Sequence, residues 1–231
     1  MNTLSIQDAS LIGSPMDFTA LEQKKSAKIL VISDSHGEVD LFEQIVREFG
    51  PDCDALAFCG DGICDLVACI NSAAIDDKLA SCVPPVVVCA RGNGDADQYP
   101  VDLFSDKETQ SSDVPRYFNV LSSVMFRAAG RTVLCVHGHR HGADFGSDTL
   151  AATAETMDAD IALFGHTHRP HREETGATLI LNPGSCSRPR GGFPPTFAVV
   201  SFPGGTERYQ VDFFEVTETI FGGYNFKLFH G

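Results

Sequence analysis

The stretch Lys28-Ile29-Leu30-Val31-Ile32-Ser33-Asp34-Ser35-His36 decides how this chain is read. Its first six residues are a short apolar, β-branched run, the pattern of a strand buried on both faces. Its last three set an acid, a hydroxyl and an imidazole directly at the end of that strand. Working outward, Glu38 to Phe49 carries Val39, Phe42, Ile45, Val46 and Phe49 at helical spacing, and Gly50-Pro51 stops it. Asp54 to Cys59 reads as a second buried strand, Gly62 to Ala73 as a helix and Val86 to Ala90 as a third strand. This alternation is the signature of right-handed βαβ units and a parallel sheet.

Beyond Ala90 the pattern shifts. Tyr117 to Arg127 and Thr132 to Val136 flank Gly130-Arg131 and read as paired strands. Thr149 to Met157 reads as a helix capped by Ser147 or Asp148. Asp160 to Phe164, Thr178 to Leu181, Thr196 to Phe202 and Glu207 to Val216 read as strands, with Gly204-Gly205 marking a hairpin. The expectation is an α/β fold, a mixed sandwich of two sheets. Residues 1–27 read as an N-terminal extension packed outside, 28–218 as the domain, and 219–231 as a Gly- and aromatic-containing tail.

The composition is globular, 43% hydrophobic and 21% charged over 231 residues. No apolar run is long enough to span a membrane, and residues 1–15 lack the basic-then-apolar order of a signal peptide. A formal charge of −14 argues against a broad nucleic-acid face and against anionic membranes, because both need cations to neutralise phosphate. It does not exclude a small phosphate-ester substrate, since bound cations would change the local field. None of the eight cysteines forms a C-x-x-C pair. They read as reduced thiols of a cytoplasmic protein, with Cys89 and Cys135 as small core residues. The partner expected is a small molecule, and these features leave a homo-oligomer open.

Metal-ligand residue types follow the expected strands one after another: Asp34 and His36, then Asp61, Asn93, His137 with His139, and His166 with His168. In open α/β sheets the site lies beyond the carboxyl ends of the strands, so five strand ends deliver these side chains toward one place. Imidazole and carboxylate donors suit Zn, Mn, Fe or Ni. A pair of such ions can clamp both the attacking and the leaving oxygen of a phosphoryl group.

D-x-H, G-D, G-N, H-G-H and G-H-T-H in this order resemble the calcineurin-like metallophosphoesterase pattern, in particular the small YfcE-type phosphodiesterases. Arg91-Gly92-Asn93-Gly94-Asp95, Leu181-Asn182-Pro183-Gly184-Ser185 and Pro189-Arg190-Gly191-Gly192 resemble further segments of that subgroup. The resemblance covers roughly Lys28 to Asp212. It implies a four-layer sandwich of two mixed β-sheets flanked by helices. It implies two divalent metal ions, manganese favoured. One would be held by Asp34, His36, Asp61 and His168, the other by Asp61, Asn93, His137 and His166, with Asp61 as the bridge. A hydroxide between the metals would attack a phosphate ester in line, most readily a phosphodiester.

One position departs from the wider family. Gly94 stands where many relatives carry a proton-donating His, which favours substrates with good leaving groups; His139 or His141 could substitute. Arg91 could orient Asp95, touch substrate or fix its loop in an ion pair. Asp95 reads as structural, Asn182 and Ser185 as either a turn or supports for a ligand, and Asp144 as a loop residue. Arg188 and Arg190 read as solvated cations, with a phosphate-tail contact as the other reading. Two alternatives remain: a non-catalytic protein-interaction scaffold of this fold, as in the retromer subunit, and a nucleotide polyphosphate hydrolase.

Overall fold

A computed structural model describes residues 2, 4–7, 9–101, 116–203 and 209–230. In chain order the elements are β1 (Leu11–Ile12), α1 (Pro15–Gln23), β2 (Ser26–Ile32), α2 (Val39–Phe49), β3 (Ala55–Phe58), α3 (Ile63–Ile75), α4 (Asp77–Cys82), β4 (Val86–Cys89), β5 (Gln98–Val101), β6 (Arg116–Asn119), β7 (Ser123–Ala128), β8 (Arg131–Val136), α5 (Asp148–Thr156), β9 (Ile161–Leu163), β10 (Pro170–Thr175), β11 (Thr178–Pro183), β12 (Thr196–Pro203), β13 (Gln210–Glu218) and β14 (Tyr224–Phe229).

Two mixed sheets dominate, ordered β1-β4-β3-β2-β12-β13-β14 and β10-β11-β9-β8-β7. Strands β2, β3 and β4 run parallel in the first, and β8, β9 and β11 in the second. Alternation along β2 shows how the layers form, because successive side chains leave opposite faces. Leu30 and Ile32 join Phe42, Ile45, Leu66 and Ile70 in a core under α2 and α3. Ile29 and Val31 face the other way and join Val133, Ile161, Leu163 and Leu181 between the sheets. A smaller core packs Leu150 and Ala154 of α5 on Leu134, Ala162 and Ile180. Helices, sheet, sheet and helix make four layers, as the resemblance implied.

The segments set apart in the sequence reading each add a strand to the first sheet. β1 pairs with β4, and Leu4, Ile12 and Leu21 are buried; a boundary at residue 27 falls inside β2. β14 pairs with β13, and Phe226 lies 5.5 Å from Phe49 and 5.4 Å from Phe197, ring to ring. The run expected as one strand from Tyr117 to Arg127 is two. β6 pairs with β5 in a small separate sheet, and β7 pairs with β8. Between them Val120 donates to the Asp97 carbonyl and Leu121 to Ser10 Oγ, so the chain leaves one ladder before joining the next. Ser147 sits at the start of α5, but its hydroxyl donates to Glu173 at 2.5 Å and caps nothing. β12 and β13 pair antiparallel as a hairpin requires; Gly204-Gly205 lie outside the described residues. All eight cysteines are free thiols. Among the described residues no helix is long and apolar enough to cross a membrane.

Candidate metal centre

Each expected ligand stands just past a strand end: Asp34 and His36 after β2, Asp61 after β3, Asn93 after β4, His137 after β8, His166 and His168 after β9, with the catalytic candidate His139 also after β8. The backbone carrying them is strained. Nine non-glycine residues have positive φ among those described, and five of them are Asp34 (54°), His36 (49°), Asp61 (55°), His166 (70°) and His168 (57°). Such residues cost about 1–3 kcal/mol each and persist where surrounding structure over-determines them.

That surrounding structure is visible. The Asp95 carboxylate accepts from the Asp61, Gly62, Ile63 and Gly92 N–H groups at 2.7–2.9 Å, tying the β3 and β4 loops together. Asn182 donates to the Gly165 carbonyl at 2.7 Å and to Thr167 Oγ1 at 3.1 Å, holding the loop of His166 and His168. Ser185 and Ser187 donate to the Asp34 carbonyl at 2.7 and 3.1 Å. Asp34 Oδ2 is taken up by Ser33 Oγ (2.6 Å) and the His166 N–H (3.0 Å), leaving Oδ1 to face the other ligands. The glycines in these motifs admit close contact: a Cβ on Gly92 would lie 2.1 Å from Asp61 Oδ1, and one on Gly165 would lie 2.7 Å from Asp34 Oδ2.

Two clusters result, Asp34 with His36 and His168, and Asp34 with Asp61 and His137. Asp34 is common to both. Asp61, which the resemblance implies as the bridge, lies in the second. His168 Nε2 stands 3.2 Å from both Asp34 Oδ1 and His36 Nε2. His137 Nε2 stands 3.5 Å from Asp61 Oδ2 and 3.9 Å from Asp34 Oδ1. His137 Nδ1 donates to the Cys59 carbonyl (2.7 Å), and His168 Nδ1 to the Arg188 carbonyl. A carbonyl only accepts, so in the neutral rings the hydrogen sits on Nδ1 and Nε2 offers a bare lone pair. Lone pairs and carboxylates therefore converge, and Asp34 Oδ1 and His137 Nε2 are buried with no hydrogen-bond partner. Burying acceptors against one another is costly without a proton or cation between them. The donor set fits borderline divalent ions, and the carbonyl contacts are the outer support such imidazoles normally have.

The electrostatics agree. Burial pulls the His137 pKa down, but the Asp61 contact and the Asp34 and Asp61 charges outweigh it, and the net shift is upward. Burial pushes Asp61 up, but His137, the Gly94 N–H and His36 hold it well below the usual carboxylate range. His36 is lowered, chiefly by burial.

The remaining expected residues are placed less directly. Exposed Asn93 lies between Gly92 and Gly94, and the Gly94 N–H donates to Asp61 Oδ1 at 2.7 Å. The His166 ring centroid is 5.2 Å from that of His137, while its Nε2 bonds Asp144 Oδ2 at 2.9 Å. His139 lies 5.4 Å from His137 and 6.1 Å from His166, ring to ring, with Nδ1 buried and unpartnered. His141 Nδ1 is buried likewise. Arg91 pairs with Asp97 rather than orienting Asp95. Asp144, a loop residue by its sequence, is the partner of the His166 ring. Asp65 was missed: it is buried on α3 and accepts from Ser35 Oγ (2.5 Å) and the Gly37 N–H (2.9 Å), fixing the loop of His36. An acid among Ile63, Leu66 and Ile70, on the buried face of a helix, was the available signal.

Residues 27–205 match the calcineurin-like phosphoesterase superfamily domain. The chain belongs to that superfamily. It is 27% identical over 173 residues to the probable metallophosphoesterase YsnB of Bacillus subtilis, covering 75% of this chain and 83% of that protein. It is 38% identical over 60 residues to the phosphodiesterase YfcE of Escherichia coli, covering 26% of this chain and 31% of that one. Among solved structures, a predicted phosphoesterase from Streptococcus pneumoniae aligns with TM-score 0.58 at 23% identity, covering 89% of this chain and 98% of that one. Vps29 of Cryptosporidium parvum aligns with TM-score 0.60 at 16% identity, covering 89% and 97%. These last two likenesses are of fold.

Proposed function

We propose that this superfamily member is a dinuclear-metal phosphodiesterase acting on small phosphodiesters with good leaving groups. The observation that carries the reading is the pair of buried acceptors, Asp34 Oδ1 and His137 Nε2, left without hydrogen-bond partners where carboxylates and imidazole lone pairs converge. Asp34, His36, Asp61 and His168 hold one divalent ion. Asp61, Asn93, His137 and His166 hold the other, His166 being assigned through its place beside His137. Manganese is the favoured ion. When bound, such ions lower the pKa of water and neutralise charge on phosphoryl oxygens.

The chain's own part is positioning. The Cys59 and Arg188 carbonyls fix two imidazoles in the ligating tautomer. Asp95, Asn182 and Ser185 hold the loops, so little reorganisation is left for the moment of reaction. Gly94 supplies no proton to a leaving oxygen, and His139, whose ring lies 5.4 Å from that of His137 and 6.1 Å from that of His166, is the donor we assign in its place. Poor proton supply favours leaving groups that depart as stable anions.

The Vps29 likeness keeps a scaffold reading in view, and hydrolysis separates the two. Bis(4-nitrophenyl) phosphate with Mn²⁺, Ni²⁺ or Zn²⁺ should be turned over, and His166→Ala should lose one ion and most activity. No turnover with any of these metals at saturating substrate overturns the assignment.

A further inference from the structure

We infer that the cleft beside the metal centre binds a second anionic group on the substrate, so the preferred diester carries one arm ending in a phosphate or carboxylate. This rests on the phosphodiesterase reading above.

The cleft has a volume of about 390 Å³ and lies between the 143–147 loop and the 190–193 loop. That is within the range of small-molecule sites, roughly 300–1,000 Å³. It adjoins the metal centre through two of its wall residues. Asp144, in its wall, bonds His166, and Thr167, also in its wall, separates His166 from His168. Its apolar surface comes from Phe164, Pro170 and Phe193, and its cationic surface from Arg169 and Arg190.

Charge bookkeeping points to an anion. The acidic groups at this cleft are engaged: Asp144 with His166, and the neighbouring Glu173 with Ser147 and His171. Neither the Arg169 nor the Arg190 guanidinium has a carboxylate partner among the described residues. In a chain of net charge −14, two such arginines on one cleft stand apart from the general field. Their backbones are held to the loop of His166 and His168: the Arg190 N–H donates to the His168 carbonyl at 3.0 Å and the Arg169 N–H to Thr167 Oγ1 at 3.3 Å. Guanidinium groups recognise phosphate and carboxylate through paired N–H donors. An arm reaching from the metal centre across Phe164 and Phe193 would place its far anion between them.

The test uses two diesters with one leaving group: the 4-nitrophenyl ester of thymidine 5′-phosphate, with and without a phosphate on the 3′-oxygen. In the metal-loaded protein kcat/KM should favour the 3′-phosphorylated substrate by about tenfold or more, mainly through KM. In Arg169→Gln/Arg190→Gln the ratio should fall to about one. A ratio near one in the unmodified protein, or one that survives the double substitution, overturns the inference. Failure to hydrolyse either diester overturns the phosphodiesterase reading instead. Calorimetry then decides the subsite separately: thymidine 3′,5′-bisphosphate should bind more tightly than thymidine 5′-phosphate, and equal affinities overturn the inference.

Discussion

Asp95 touches neither expected ion, yet replacing it with Asn should damage the centre. Its two oxygens each accept two backbone N–H groups: Oδ2 from Asp61 and Gly92 at 2.7 and 2.8 Å, Oδ1 from Gly62 and Ile63 at 2.9 Å. In Asp95→Asn one oxygen becomes an NH₂ facing two donors, so two charge-assisted bonds are lost at about 1.5–3 kcal/mol each. Asp95 is half-buried, and water replaces part of the loss, so a net destabilisation of about 2–4 kcal/mol is expected. For a chain of this size each kcal/mol moves Tm by about 2–4 °C, giving a fall of about 4–16 °C. Differential scanning calorimetry of the metal-stripped protein measures it without any contribution from the ions. Mn²⁺ affinity should fall as well, because the loops of Asp61 and Asn93 are then held less firmly. A Tm within about 2 °C of the unmodified protein, with unchanged Mn²⁺ affinity, would refute the claim that this carboxylate clamps the site.

Asp61→Asn should release both ions rather than one, because the proposed assignment makes Asp61 a ligand of each, with its Oδ2 3.5 Å from His137 Nε2; metal analysis after gel filtration checks this, and retention of a full complement refutes it. Chelation should lower Tm: two ions each near 100 times their Kd contribute about 5 kcal/mol together, or about 10–20 °C, and a melting curve blind to EDTA would count against resident metal. Metal binding should also release protons near pH 6.5. The folded, metal-free His137 has its pKa raised above the ordinary value, so it is charged over more of that range and must lose a proton to ligate, whereas Asp61 is already ionised. Affinity should therefore rise with pH and level off above the His137 pKa. Calorimetry in two buffers of different ionisation enthalpy reads the released proton, and equal heats at pH 6.5 would contradict it.

The parts of the fold that could be read from sequence are those whose pattern is dictated by burial on both faces. β2, β3, β4 and β9 are buried along almost their whole length, so they show as apolar runs, and the rule that sites lie beyond strand ends picks out the candidate ligands. β10 reads Pro170-His171-Arg172-Glu173-Glu174-Thr175 and is an edge strand, held by its ladder with β11 rather than by apolar burial. No hydrophobic period announces such a strand. β1 is too short to have a period at all. The break at Val120 and Leu121 depends on Asp97 and Ser10, which are distant in sequence.

The same division runs through the site. The candidate ligand residues follow strand ends and are legible; what turns them toward one another is not. His137 and His168 offer Nε2 because carbonyls of Cys59 and Arg188, far away in the chain, claim Nδ1. Five candidate ligand residues sit at left-handed φ because Asp65, Asp95, Asn182 and Ser185 clamp the loops from other elements. Local propensity alone would relax those backbones, so a sequence window around Asp34 or His166 cannot reveal the strain. The clamps carry no metal themselves, yet without them the ligand residues would have no reason to converge. Substitutions at these four positions should therefore weaken metal binding and stability together, whereas loss of a ligand that leaves its clamp intact should remove metal while preserving most of the metal-free stability.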